Sequence, residues 1–315
     1  MKSLRFFSVI FVLLSLPLLF YSCKKDIVED GKISVVASIF PVYDFAREIG
    51  SDNASVKMLL PPGMEPHSFD PTPRDIRRIE EADIFVYNGA EMEPWVEDIL
   101  NGIENPDLVV IDSSKGVDLL VGGHHHKEEV GHDVGETGEV LDPHIWTDFE
   151  NAKIQVDNIL SAFLMKDPEN AGIYEDRTNV YKWKLDTLDE LYRNALSDCP
   201  KKEIVSSGHF AFSYMAHRYG LVHYAVYGSS PDAEPSPTEL IKIVEMVKEK
   251  NVKYIFAEEL VNPKMAETLK EETGAEILFV NPAGSLPKSD FDEGVTFIDI
   301  MSDNLNKFKM ALECQ

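Results

Sequence analysis

Three histidines stand where the chain turns sharply: His67 in PPGMEPHSFDPTP, His144 in LDPHIWTD and His209 in SSGHFAFSYMAHRYG. Each follows a run that reads as a β-strand, and the carboxyl end of a parallel strand is where ligands usually bind. His67 lies between Pro66 and the segment Asp70-Pro71-Thr72-Pro73, and His144 follows Pro143. Proline restricts both backbones and lowers the entropy lost when a side chain is fixed. His209 follows Gly208 at a strand-to-helix turn. Three imidazoles from separate loops suit a borderline cation such as zinc, with a fourth position at roughly 2.0 Å left for a carboxylate, an amide or water. Taken singly, a loop histidine is more often a solvated or capping residue. Only convergence makes a site, and spacing along the chain does not show convergence.

Four more histidines, His124, His125, His126 and His132, crowd the stretch GGHHHKEEVGHDVGETGEV. It is glycine-rich, polar and aperiodic, which reads as a surface insertion. Its imidazoles and carboxylates offer transient metal contacts, but ordering a loop costs about 1–2 kcal/mol per fixed residue, so capture there is weaker than in a fixed site. A solvated loop without function is the other reading. Among the acids, Asp142 is either an acceptor that orients His144 or an ordinary turn opening. Glu258 and Glu259 stand after a strand run and either face a cleft or, as the favoured reading, cap the next helix or meet solvent; Glu234 in AEPSP reads as a local residue of the same kind. Met215, Met246 and Met301 fall at helical core spacing and read as packing.

The elements that must position these residues follow an alternating rhythm. ISVVASIF, SVKMLL, DIFVYNG and LVVIDSS read as strands, separated by the helical patterns PVYDFAREIG, PRDIRRIEEA and PWVEDILNGI. The second half repeats this with EIVSSG, LVHYAVYG, VKYIFAEEL and EILFVNP between AFSYMAHRYG, TELIKIVEMVKEKN and PKMAETLKEETG. Alternation of this kind predicts βαβ units, and the simplest account is an α/β chain of two (β/α) lobes with parallel sheets. Between the lobes, residues 149–197 are nearly free of glycine and read as two helices broken near KDPEN. The second, of roughly 30 residues, is long enough at about 45 Å to pass from one lobe to the other as a stiff connector. The resulting division is 1–22 signal, 23–32 linker, 33–167 first lobe with the histidine-rich loop at 121–140, 168–198 connecting helix and 199–315 second lobe.

With 55 acidic against 30 basic residues the formal charge is −25, which disfavours sequence-independent attraction to nucleic acid and concentrates cations instead. Lys2 and Arg5 precede an apolar run from Phe6 to Tyr21 that ends at Ser22-Cys23, the pattern of an export signal. Cys23 at that place reads as a lipidated new N-terminus; a retained signal anchor and ordinary secretion are the alternatives. Export leaves Cys199 and Cys314 in an oxidising compartment, where they are either a disulfide or two free thiols.

The motifs GMEPHSFDPTP, DPHIWTD, SGHFAFSYMAHRYGL, EPSPTEL, IFAEEL with ETGAEILFVNP, and TFIDIMSDNLNKFKMAL occur in this order from about Ile33 to Leu312. Together they resemble the metal-binding solute-binding proteins of ATP-driven zinc and manganese importers. That resemblance implies a bound ion between two lobes joined by a backbone helix, held by His67, His144 and His209, with a fourth ligand near Asn281. It also implies a monomer that delivers its ion to the permease of an ABC importer, with no covalent chemistry. Zinc-type relatives carry histidine at the position of His209 and manganese-type relatives a carboxylate, so Zn²⁺ is expected over Mn²⁺ or Fe²⁺. Asn281 departs from the usual acidic fourth ligand; water, Asn281 and Glu65 are the candidates, in that order. A surface adhesin and an exported zinc hydrolase are the competing functions. Neither His-Glu-x-x-His nor its inverted form occurs, which weighs against the hydrolase.

Overall fold

The β-branched runs of the first half become β1 (Ile33–Ala37), β2 (Ala54–Met58), β3 (Ile84–Tyr87) and β4 (Val109–Asp112), between which lie α1 (Phe40–Gly50), α2 (Pro73–Glu80) and α3 (Val96–Leu100). The computed structural model describes residues 31–122, 141–227 and 237–314. The signal segment with Cys23, the loop histidines His124, His125, His126 and His132, and Glu234 lie outside the described residues. Local chemistry sets the helix starts. Thr72 and Asp75 close a capping box on α2, with Pro73 in its first turn. The helix expected over PWVEDILNGI is only five residues long, because turns on both sides take up the rest of that segment.

Two helices then leave the first sheet: α4 (Phe149–Lys166), capped by the Asp148 carboxylate, and α5 (Ala171–Leu196). The connector starts one turn later than its sequence pattern suggests, since Pro168–Asn170 form a 3₁₀ turn. At 26 residues α5 is about 39 Å long. The second half supplies β5 (Glu203–Ser206), α6 (Ser213–Tyr219), β6 (Val222–Ala225), α7 (Pro237–Glu249), β7 (Tyr254–Glu258), α8 (Lys264–Thr273), β8 (Glu276–Val280), α9 (Lys288–Glu293) and α10 (Phe297–Ala311).

Both sheets are parallel and share one topology, β2-β1-β3-β4 and β6-β5-β7-β8. In each, the chain moves outward in opposite directions from the first strand, so a crevice opens at the carboxyl ends beside β1 and beside β5. Among the described residues no helix is long and apolar enough to cross a membrane.

The last helix does not stay with the second sheet. Phe297 and Phe308 of α10 belong to the same buried cluster as Phe45 of α1 and Tyr181 and Tyr192 of α5. Asp44, fully buried in α1, accepts from the Phe297 backbone N–H at 3.1 Å and from the Tyr181 hydroxyl at 3.2 Å. A separate cluster of Val205, Val226, Ile243, Val247, Ile255, Leu269 and Ala275 fills the far side of the second lobe. Met215 and Met301 are core residues, and Met246 packs on the second cluster. Because α10 lies along α5, the residues just beyond each helix meet: Cys199 and Cys314 form a disulfide across 115 residues of chain.

Candidate metal centre

Each histidine of the cleft reaches it from a different loop. His67 sits in a 3₁₀ turn (Pro66–Ser68) between β2 and α2, His144 immediately precedes a second such turn (Ile145–Thr147), and His209 lies between β5 and α6. The three imidazoles converge. Nε2 of His144 stands 3.1 Å from Nε2 of His67 and 3.0 Å from Nε2 of His209, and the cluster's ligand atoms all fall within 4.8 Å of one another. Nitrogen ligands about 2.0–2.1 Å from a tetrahedral ion stand about 3.3 Å apart, so small shifts suffice to seat one ion. His144 and His209 are each 2% exposed, whereas His67 is half-buried.

Carboxylates stand behind the two buried rings. Asp142 Oδ1 accepts the backbone N–H of His144 at 2.9 Å and lies 2.8 Å from its Nδ1. Glu258, the last residue of β7, places Oε1 2.9 Å from Nδ1 of His209. Glu65 instead accepts the backbone N–H of His67 at 3.2 Å. In the metal-free protein, burial and the two neighbouring imidazoles push the His67 pKa down to about 2. Burial also pulls on His209, but the Glu258 carboxylate outweighs it and holds that ring above the ordinary histidine value. Burial raises Asp142 and Glu258, and their histidine partners more than offset it, leaving both carboxyls below the usual range.

The surroundings are braced by groups remote in sequence. Asn88, just past β3, donates from Nδ2 to the Pro143 carbonyl, and its Oδ1 accepts from Gln155 of α4. The Tyr214 hydroxyl of α6 donates to the Asp142 carbonyl and accepts from the Leu120 N–H, both at 2.9 Å. Trp146 Nε1 donates to the Pro282 carbonyl at 2.6 Å, joining the His144 turn to the loop after β8. These contacts tie both lobes to one cleft.

Residues 35–311 match the sequence family ZnuA, described as zinc-uptake complex component A, periplasmic. The chain belongs to this family. It is 38% identical over 284 residues to the high-affinity zinc uptake system protein ZnuA of Bacillus subtilis (strain 168), covering 90% of this chain and 89% of that protein. It is 34% identical to the zinc-binding lipoprotein AdcA of Streptococcus pneumoniae, of which the match spans only 58%. Among solved structures, the Zn(II)-bound ZnuA-like domain of S. pneumoniae AdcA superposes with a TM-score of 0.75 at 32% identity, covering 90% of this chain and 100% of that one. Laminin binding protein Lmb of Streptococcus agalactiae, described as bifunctional with adhesin and metal transporting activity, gives a TM-score of 0.78 at 32% identity, covering 89% and 99%.

Within this ZnuA-type fold the three histidines expected from the loop motifs come together, and Asp142 takes the orienting position rather than a bare turn role. The favoured reading is corrected for Glu258 and holds for Glu259. Neither caps α8, whose N-terminal neighbour Pro263 makes no side-chain cap; Glu258 is buried against His209, whereas Glu259, at the cleft rim 3.9 Å from Lys307, is exposed and meets solvent as expected. Asn281 and Glu65 also line the cleft. The Asn281 Oδ1 already accepts the Ala283 N–H at 2.7 Å. Asn88, Gln155 and Tyr214 escaped the sequence reading, because nothing in their local patterns marks them.

Proposed function

We propose that this chain captures Zn²⁺ outside the cytoplasmic membrane and hands it to the permease of an ABC importer, as a solute-binding protein and not an enzyme. The observation that carries this reading is the convergence of His67, His144 and His209 Nε2 in a cleft between two lobes. Family membership supports it. In this reading His67, His144 and His209 hold the ion. Water takes the fourth place ahead of Asn281, whose oxygen is shared with a backbone N–H, and ahead of Glu65, which braces the His67 turn. A nitrogen-rich donor set favours zinc over manganese or iron(II). Residues 33–167 and 199–315 are the two lobes around a connector at 168–198. Residues 1–22 direct export, and Cys23 carries a lipid that keeps the mature protein, from 23 onward, at the membrane as a monomer.

Equilibrium zinc titration of the purified protein, with Mn²⁺ and Fe²⁺ as competitors, tests this directly. One zinc per chain is expected, lost in His67→Ala, His144→Ala and His209→Ala. Wild-type affinity in all three variants would place the site elsewhere. Surface attachment is a second reading supported by the likeness to Lmb; unimpaired growth of a deletion strain under zinc limitation, combined with loss of laminin adhesion, would favour it.

A further inference from the structure

The two buried imidazoles and the half-buried one are held differently. Asp142 secures His144 from two residues away, through both the backbone N–H and the ring. His209 has no such local acid. Its counterpart, Glu258, is supplied by β7, the strand that lies beside β5 in the sheet. Glu258 is 8% exposed; its Oε1 and His209 Nδ1 face each other at 2.9 Å, and among the described residues neither atom has a hydrogen-bond partner elsewhere or a fully aligned one in the other. The approach depends on Gly208: a Cβ there would stand 2.4 Å from Glu258 Oε1, a distance that real side chains do not adopt.

We propose that Glu258 is a positioning residue of the metal centre, which fixes the His209 ring with Nε2 toward the ion, and that Gly208 is the opening that admits its carboxylate. This rests on the zinc-binding reading of the cleft. A carboxylate at Nδ1 selects the tautomer with its proton on Nδ1 and its lone pair on Nε2, and it strengthens the ring as a ligand. Oε1 lies against Nδ1, whereas Nε2 is the ring nitrogen that faces His144, so in this arrangement the carboxylate braces the ring from behind. Asp142 and Glu258 together also set two negative charges around three neutral imidazoles, which balances a dication in a site where an unpaired charge is costly. Among the described residues no acid is paired with the His67 ring, so the second lobe and the Asp142 turn form the more firmly braced part of the site.

The test compares Glu258→Ala, Glu258→Gln and Gly208→Ala with wild type and His209→Ala. Zinc affinity is read by competition with a chromophoric chelator, the ligand field by the visible spectrum of the Co²⁺-loaded protein, and folding by thermal unfolding without metal. Glu258→Ala is expected to weaken zinc binding about 10–100-fold and to alter the Co²⁺ bands. Gly208→Ala should reproduce both effects. Glu258→Gln, whose amide oxygen still accepts from Nδ1–H, should recover much of the affinity. Glu258→Ala with wild-type affinity and spectrum, while His209→Ala loses binding, overturns the proposal. So does a Glu258→Gln loss as large as that of His209→Ala, which would make the carboxylate a direct ligand. A wild-type protein that fails to bind zinc tightly overturns the functional reading first, and this assignment with it.

Discussion

Replacing His144 by alanine removes the central member of the cluster, the one imidazole with Nε2 near both others, at 3.1 Å and 3.0 Å. Structural zinc sites are worth about 10–16 kcal/mol, so one of four ligands accounts for roughly 2.5–4 kcal/mol, or on the order of 10²–10³-fold in affinity. The same change has a second effect with no metal present. Asp142 is 1% exposed and loses its contact to the ring while keeping the backbone N–H of residue 144. Leaving a buried carboxylate under-partnered costs about 1–3 kcal/mol. At the usual sensitivity of a domain this size, the metal-free protein should melt roughly 2–8 °C lower. Chelator competition at pH 7.5 gives the first quantity and scanning calorimetry of the metal-free protein the second. A variant that binds zinc within about threefold of wild type would refute the ligand argument, since threefold is only ~0.7 kcal/mol. A variant with weakened zinc binding and an unchanged melting temperature would refute the Asp142 argument alone.

The pH dependence of zinc binding separates the histidines. His67 is already neutral down to about pH 2 and has no proton to lose, whereas His209 is held above its ordinary value and must give one up. His67→Ala should therefore lower affinity without changing the slope of log affinity against pH between 5 and 7, and His209→Ala should flatten it; titrations across that range decide. For folding the signs oppose: the depressed His67 makes stability fall as pH drops below the unfolded histidine pKa of about 6.5, and the raised His209 adds stability at low pH that is lost as pH rises through its folded pKa. Cys199→Ser, which opens a loop of 115 residues, should cost about 2–5 kcal/mol of stability and leave zinc affinity unchanged, by chemical denaturation and titration. Asp44→Ala strips partners from Phe297 N–H, Tyr181 and Arg47, with an expected loss of about 3–5 kcal/mol on denaturation; a loss under about 1 kcal/mol would show that solvent replaces them. Val121 and Leu141 pair across the base of the histidine-rich loop, so replacing residues 123–140 by a short Gly-Ser turn should spare zinc affinity in vitro; a tenfold loss would assign those histidines to the tight site.

What the sequence made legible was local. Strand and helix alternation, the glycine-poor connector and the proline-bounded turns at His67 and His144 are all signalled locally, and each appears, though the connector begins a turn late and α3 is short. Asp142 was within reach for the same reason, two positions from His144. Glu258 stood out as a cleft candidate, but its pairing with His209 did not, because 49 positions separate them and their meeting depends on β5 and β7 being sheet neighbours. Strand order is a property of the whole sheet and leaves no mark in spacing. Cys199 and Cys314 are a similar case: the disulfide becomes inevitable only once α10 is known to lie along α5. The brace of Asn88, Gln155 and Tyr214 is harder still, since these are ordinary helix and loop residues until the fold points Asn88 and Tyr214 at the Pro143 and Asp142 carbonyls and Gln155 at the Asn88 side chain.

The shared topology explains why the two lobes contribute unequally. In the second lobe the crevice between β5 and β7 is where His209 and Glu258 stand, so the place at which the fold opens is the place that presents one of the three clustered imidazoles. The corresponding crevice in the first lobe, between β1 and β3, is filled by protein: Ser38 donates to the buried Glu93, whose carboxylate also accepts the Asn88 and Gly89 N–H groups. That lobe must therefore offer its imidazoles from outside its crevice, His67 from the loop after β2 and His144 from the segment before α4. The consequence is an asymmetric site. His144 is braced by Asp142, Asn88 and Tyr214, and His209 by Glu258, but His67 rests on a turn held by Glu65 and by the Gly63 N–H to the Leu286 carbonyl at 2.8 Å. Arg218 of α6, meanwhile, pairs with Asp189 of α5 at 2.7 Å and Asp148 at 3.3 Å, which fastens the lobes to the connector away from the cleft. With His144 and His209 each backed by a carboxylate and the lobes fastened to the connector, the half-buried His67 turn is the least braced of the three.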